Sequence, residues 1–252
     1  MTDSPDSQKL ADRVASLVEA AKRAGADAAD AVAVRSRSKG VTVRLGKVES
    51  TEASESDDIS LRVFLGQRVA SVSATAASDP VSLAQRAVAM AKVSPEDPYQ
   101  GLADETQLAK DTIDLDLFDP TELSADQLRE AALEAEQAAL AVEGVTNSGG
   151  SSASAGLGGM VLATSHGFVG HYAGTRFSRS VSAIAGEGTG MERDYDYSSR
   201  QHFADLDSAA AIGKSAGERA VRRFGGRKVA TGTVTVVFDP RVARAIAGHL
   251  AG

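Results

Sequence analysis

From residue 28 to residue 76 apolar and polar side chains alternate with a period of two, and this limits the fold more than any other feature. Successive side chains of a strand point to opposite faces, so alternation of this length specifies a sheet with one buried face. Four runs carry it: 28–38 (containing ADAVAVRSRS), 41–50 (VTVRLGKVES), 59–66 (ISLRVFLG) and 67–76 (QRVASVSATA). Gly66-Gln67, between the last two, fits a two-residue type II′ turn, which takes glycine first. The flanks change to helical spacing. Leu10, Val14, Leu17, Val18 and Ala21 form a stripe closed by Gly25, and Asp79-Pro80 opens a second helix with the stripe Leu83, Ala87, Met90 and Ala91.

Residues 94–123 break the pattern. Nine carboxylates stand against one lysine between Glu96 and Glu122, with three prolines in the stretch, which reads as a solvated linker. Leu115, Leu117 and Phe118 would hold it against a surface. Ser124 and Gln127 make a capping box for a helix that buries Leu128, Ala132, Ala135, Ala139 and Val142. A Gly/Ser-rich β region follows over 145–200, with hairpins turning at Ser165-His166-Gly167 and around Gly186–Gly190. A helix near 207–224, a strand TVTVVF (233–238) and a helix from Pro240 complete the pattern. The expected class is α+β: antiparallel sheets with flanking helices in two domains. The divisions are an N-terminal domain (1–95), the acidic linker (96–123), a second domain (124–232) and the start of a third (233–252).

At 252 residues the chain can bury a real core. A net charge of −7 argues against a nucleic-acid surface, which needs clustered Lys and Arg. The one basic cluster, Arg219 to Lys228, reads as cations at a helix C-terminus. The absence of cysteine removes disulfides, thiolate zinc sites and a cysteine nucleophile. The acidic start MTDSPDSQKL is no signal peptide, and no apolar run is long enough for a membrane helix, so a cytoplasmic protein is expected.

Few residues are placed for chemistry. His166 and His171 are five apart, on opposite faces of a regular strand, and do not converge on one metal. In MERDYDY (191–197), alternation puts Glu192, Asp194 and Asp196 on one face and Arg193, Tyr195 and Tyr197 on the other. The bland reading is a solvent-facing acidic row behind an aromatic inner face, with a basic partner to offset like charges. The functional reading is an acid/base pair or a cation site. GLGG (156–159) is turn chemistry, and no P-loop, dinucleotide fingerprint or nucleophile elbow occurs. Near the C-terminus, Val242, Ile246, His249 and Leu250 share one helical face, which predicts a buried, hydrogen-bonded His249.

SPEDPYQGLAD, LDLFDP, TSHGF, GMERDYDYSSR and RKVATGTVTVVFDPRVARAIAGHLAG occur in this order. Through them the chain resembles the PmbA/TldD family, and most nearly its PmbA (TldE) branch, from about residue 28 onward. The resemblance implies a cytoplasmic, heteromeric metallopeptidase linked to peptide-antibiotic maturation and antitoxin turnover, with an older description as a modulator of DNA gyrase. It implies zinc on a His-Glu-x-x-x-His helix in the TldD branch and no such motif in the PmbA branch. On that alignment His249 stands at the first zinc histidine and Leu250 replaces the glutamate that would activate a zinc-bound water. The expectation is therefore no cofactor and no metal in this chain, zinc in a TldD-like partner subunit, and an unfolded peptide as substrate. Direct nucleic-acid or membrane binding is not expected. Family members are longer, so a missing C-terminal domain and exposed apolar surface where it packs are also expected. The leading function is a non-catalytic subunit of such a metallopeptidase in proteolysis or peptide maturation. The alternative is a free-standing interaction module of the gyrase-modulator type. An independent enzyme using Glu192, Asp194 and Asp196 ranks below both, for lack of a second catalytic group.

Overall fold

The computed structural model describes residues 5–110 and 113–252; the first four residues and residues 111–112 of the acidic linker lie outside the described residues. The fold is α+β, an antiparallel sheet with flanking helices. Helix α1 (Pro5–Arg23) leads into strands β1 (Ala28–Arg44), β2 (Lys47–Leu65) and β3 (Arg68–Thr75), then helix α2 (Pro80–Val93). After the linker come α3 (Ala125–Leu140), strands β4 (Val145–Thr164), β5 (Val169–Ala185) and β6 (Glu192–Arg200), and helices α4 (Ala209–Arg222) and α5 (Pro240–Ala251). The strands of the two expected domains join in one sheet of order β3-β2-β1-β4-β5-β6, because β1 pairs with β4 from Asp30↔Thr164 to Val43↔Ser151.

The alternating runs behave as their spacing requires, with one correction. Residues 28–38 and 41–50 are not two strands. β1 continues through Gly40 to Arg44 and turns at Leu45-Gly46, in the middle of the run read as one strand. Both turn residues have positive φ (48° and 74°), as a type I′ turn demands, although leucine seldom accepts that region. The support comes from Glu136 on α3. Its side chain is buried, and its two oxygens accept the Leu45 and Gly46 amides at 2.8 Å each. Gly66, by contrast, takes the positive φ expected at the first position of its turn.

All the large helices of the first 222 residues lie on one face of the sheet. On β1 the inward residues Ala29, Ala31 and Ala33 are buried beneath α1 and α2, together with Ile59, Leu61, Val63 and Val161. Twelve residues further along the same face, Val41 and Val43 lie under α3 with Leu128, Ala132 and Ala153. α4 closes over Val181, Ala183 and Ala185. The stripe of α2 is Leu83, Ala84, Ala87, Val88 and Ala91; Met90, expected within it, is exposed because Val88 occupies the inward position. The capping box of Ser124 and Gln127 forms as its residues require.

α3 and α4 approach closely because their contact is made of alanine and glycine. A Cβ placed on Gly213 would collide with the Ala135 carbonyl oxygen and stand 2.8 Å from Ala138 Cβ. A Cβ on Gly217 would stand 2.6 Å from a Val142 methyl group.

Residues 233–238 are not a strand, contrary to their alternating pattern. A strand needs a ladder partner, and no described segment pairs with them. Val234, Val236, Val237 and Phe238 are all exposed. No described helix is long and apolar enough to cross a membrane.

Candidate functional site

The carboxylates of MERDYDY lie on β6, an edge strand, where α4 covers the sheet and α5 meets its rim. Their orientation reverses the solvent-facing expectation. Glu192, Asp194 and Asp196 turn inward and are partly buried, whereas Tyr195 and Tyr197 face out. The cause is α4 and its C-cap: Arg219 and the capping residue Arg223, four residues apart, present two guanidinium groups to that face. Arg223 reaches Glu192 (3.3 Å) and Asp194 (3.6 Å), and Arg219 reaches Asp196 (3.7 Å) and Asp239 (3.4 Å).

A third arginine completes the lattice from α5. Asp239 caps that helix by accepting the Arg241 amide at 2.9 Å. The Arg241 side chain donates to Asp194 Oδ1 at 3.0 Å, to the Tyr195 carbonyl at 2.8 Å and to Asp239 at 3.2 Å. Its guanidinium lies 5.0 Å from the Tyr195 ring centroid, a cation–π contact, and Tyr195 stacks on Tyr197 at 6.2 Å. Burial alone would raise Asp194, but the Arg241 hydrogen bond, the Tyr195 amide and the charges of Arg241 and Arg223 hold it below the usual carboxylate range. The Asp194 hydrogen bond in turn raises Arg241.

Asp194, held below the usual carboxylate range, is a poor proton donor at neutral pH, and arginines stand against all three carboxylates of the row. What the arrangement does is dock α5 on the sheet edge. Arg241→Ala therefore abolishes hydrogen-exchange protection across 240–251 while the thermal midpoint of the sheet changes little. Because the Asp194 value is depressed, docking is complete above the usual carboxylate range and is lost as pH falls through the lowered value. Release of α5 in a pH series accordingly starts only below about pH 4.

His249 is exposed, not buried, since beyond Arg241 the described residues leave α5 uncovered. Leu250 beside it is 87% exposed. His166 sits in the β4–β5 turn and His171 on β5, both exposed. Among the described residues there is no group of three His, Asp or Glu side chains that could hold a metal ion. Sequence reasoning missed Arg219, Arg223 and Arg241 as partners of the acidic row, although the four-residue spacing of the first two was visible.

This geometry stands in a recognisable frame. Residues 29–91 match the model of the PmbA/TldA metallopeptidase domain 1, and residues 118–224 that of the PmbA/TldA metallopeptidase central domain. The chain belongs to the PmbA/TldD family. It is 34% identical over 247 residues to the metalloprotease PmbA homolog of Haemophilus influenzae, covering 97% of this chain and 54% of the relative. To metalloprotease PmbA of Escherichia coli O157:H7 it is 36% identical over 230 residues, or 90% of this chain and 51% of the relative. The chain thus spans about half the length of the curated relatives it matches. A Bacteroides thetaiotaomicron structure described as a candidate modulator of DNA gyrase superposes with a TM-score of 0.87 at 25% identity, over 98% of this chain and 56% of that one. TldE from Thermococcus kodakarensis shares the fold, with a TM-score of 0.69 at 17% identity over 83% of this chain and 47% of that one.

Proposed function

We propose that this chain is a zinc-free, non-catalytic subunit of a TldD/PmbA-type metallopeptidase assembly in proteolysis or peptide maturation, its zinc held by a TldD-like partner. The observation that carries this reading is the pairing of His249 with Leu250 on α5. No carboxylate neighbours the histidine in sequence to take a proton from water, and the carboxylates of β6 are held by Arg223 and Arg241. The names of the curated relatives support the family chemistry, and the apolar side chains exposed around α5 mark a face that a further family domain or a partner subunit would cover. Val237 is 89% exposed and Leu250 87%, with Val242 and Ile246 half exposed between them. The edge of β3 beyond the Arg68–Glu96 bridge suits an extended peptide, which adds to a sheet through main-chain hydrogen bonds.

Light scattering after gel filtration tests the association. Mixed with a subunit bearing His-Glu-x-x-x-His, the chain co-elutes with it, and Val237→Asp combined with Leu250→Asp weakens the complex. Separate elution of the two unmodified chains contradicts the reading. A second reading, a free-standing module docking on a basic protein, rests on the net charge of −7 and on the description of the Bacteroides neighbour. It requires binding to such a protein with no peptidase subunit present.

A further inference from the structure

The six-stranded sheet has two edges, and α5 lies against one of them, β6. The other, β3, is bare over most of its length. Its main-chain groups alternate in direction. The Ala76 amide donates to the Asp57 carbonyl of β2 at 2.9 Å, whereas the Gln67 carbonyl points away from β2 and accepts the Asp97 amide at 2.8 Å. By this parity the even-numbered residues of β3 bond to β2, and Val69, Ser71, Ser73 and Thr75 turn their main-chain groups to the open edge. Among the described residues only the segment after α2 pairs with that edge, at the isolated Arg68–Glu96 bridge. At the other end the chain turns away, and the Thr75 carbonyl accepts the Ser78 amide at 3.0 Å. The open window is 69–75, and its midpoint is Val72.

Edge strands are commonly shielded by charge, proline or a bulge. The window VASVSAT has no charged residue and no proline, and its register with β2 runs without a bulge. Its sequence is also symmetric about the midpoint, since Ala70-Ser71-Val72-Ser73-Ala74 reads the same in both directions. An antiparallel copy centred on Val72 sets Ser71 opposite Ser73, Ala70 opposite Ala74 and Val72 opposite itself. That register matches the free groups, because Ser71 and Ser73, which point outward, become the hydrogen-bonded pairs. A two-fold axis doubles every charge it meets, and here it meets none.

The helix layer accepts the same operation. α2 lies over the β2–β3 pair. With strands about 4.8 Å apart, a two-fold between the β3 strands sets the two α2 helices about 10 Å apart, a distance at which helices pack. α2 still exposes Val81, Met90 and Val93. We propose that β3 is a self-association edge, to which a second copy of this chain adds antiparallel about Val72 and joins the two sheets into one. The proposal goes beyond the subunit reading and does not need it, because α5 and its apolar surroundings lie at the opposite edge. An extended peptide at β3 competes for the same amides, and the symmetry of the window favours the copy.

The test is light scattering after gel filtration of the 252-residue chain alone, which gives twice the 25.9 kDa of one chain. Ser71 and Ser73 are exposed, so substitutions there leave the fold intact. Ser71→Glu with Ser73→Glu sets carboxylate opposite carboxylate and halves the mass. Ser71→Glu with Ser73→Lys sets each carboxylate opposite an ammonium and restores it. The chain has no cysteine, so cross-linking reads the register directly. On oxidation Val72→Cys forms a covalent dimer with itself, whereas Ala70→Cys and Ala74→Cys link only to each other when mixed. A monomeric parent overturns the proposal; if its Ser71 and Ser73 amides shift on adding an extended peptide, the edge belongs to a peptide instead. A dimer that survives both glutamates, or cross-links in another register, also overturns it. A dimer formed by β3 in a chain that never joins a metallopeptidase subunit upholds the edge and rejects only the subunit reading.

Discussion

Gly213→Ala lowers the stability of the fold, although alanine is the better helix former. In an exposed helix interior the exchange gains about 1 kcal/mol. At Gly213 the added methyl meets the Ala135 carbonyl oxygen and Ala138 Cβ, atoms of a neighbouring helix that has no flexible side chain to move aside. Overpacking of this kind costs about 1–3 kcal/mol, and more where backbone must shift, so the helices separate and the sign is negative. The control is Gly248→Ala on α5, where a Cβ meets open space and the helix gains. A urea midpoint that falls for Gly213→Ala, with greater helicity for Gly248→Ala, is the expected pair of results. A stabilised Gly213→Ala contradicts the close α3–α4 packing.

The second large effect is at Glu136, which is 1% exposed. A carboxylate is costly to bury unless its oxygens are occupied, and here each oxygen accepts one amide of the β1–β2 turn. Hydrogen bonds to charged acceptors contribute about 1.5–3 kcal/mol each. The turn tip is partly exposed, so water recovers some of that loss, and Glu136→Ala is expected to cost about 2–4 kcal/mol. Glu136→Gln falls between, since its amide nitrogen cannot accept. The measurement is the urea midpoint together with amide exchange at Leu45 and Gly46, whose protection disappears in the alanine variant. An alanine variant as stable as the parent rules out the role assigned to Glu136.

These two sites show what the sequence displays and what it conceals. Period two made the strands visible because burial on one face repeats at every second residue. The Leu45-Gly46 turn was hidden because a leucine at positive φ is supported by a glutamate 91 residues away in sequence. That glutamate did leave a sign: Glu136 lies on the helical stripe of Ala132 and Ala139, a lone carboxylate among alanines. Alternation placed Glu192, Asp194 and Asp196 on one face correctly but could not say which face is inward, because α4 and its arginines decide that. The spacing of His249 on an apolar stripe was likewise real, while its burial depends on what covers α5. The alternating valines of 233–238 satisfy a strand pattern yet lack a partner among the described residues.

The most direct test of the subunit account is zinc content and peptidase activity measured on the separated chains and on the reconstituted pair. The account predicts no stoichiometric zinc in this chain, zinc in the partner bearing His-Glu-x-x-x-His, and a rate or substrate range that changes when this chain is added. Stoichiometric zinc or peptide cleavage in this chain alone, unaffected by Leu250→Ala and lost in Asp194→Asn, would contradict it and return the acidic row of β6 to the centre of the chemistry.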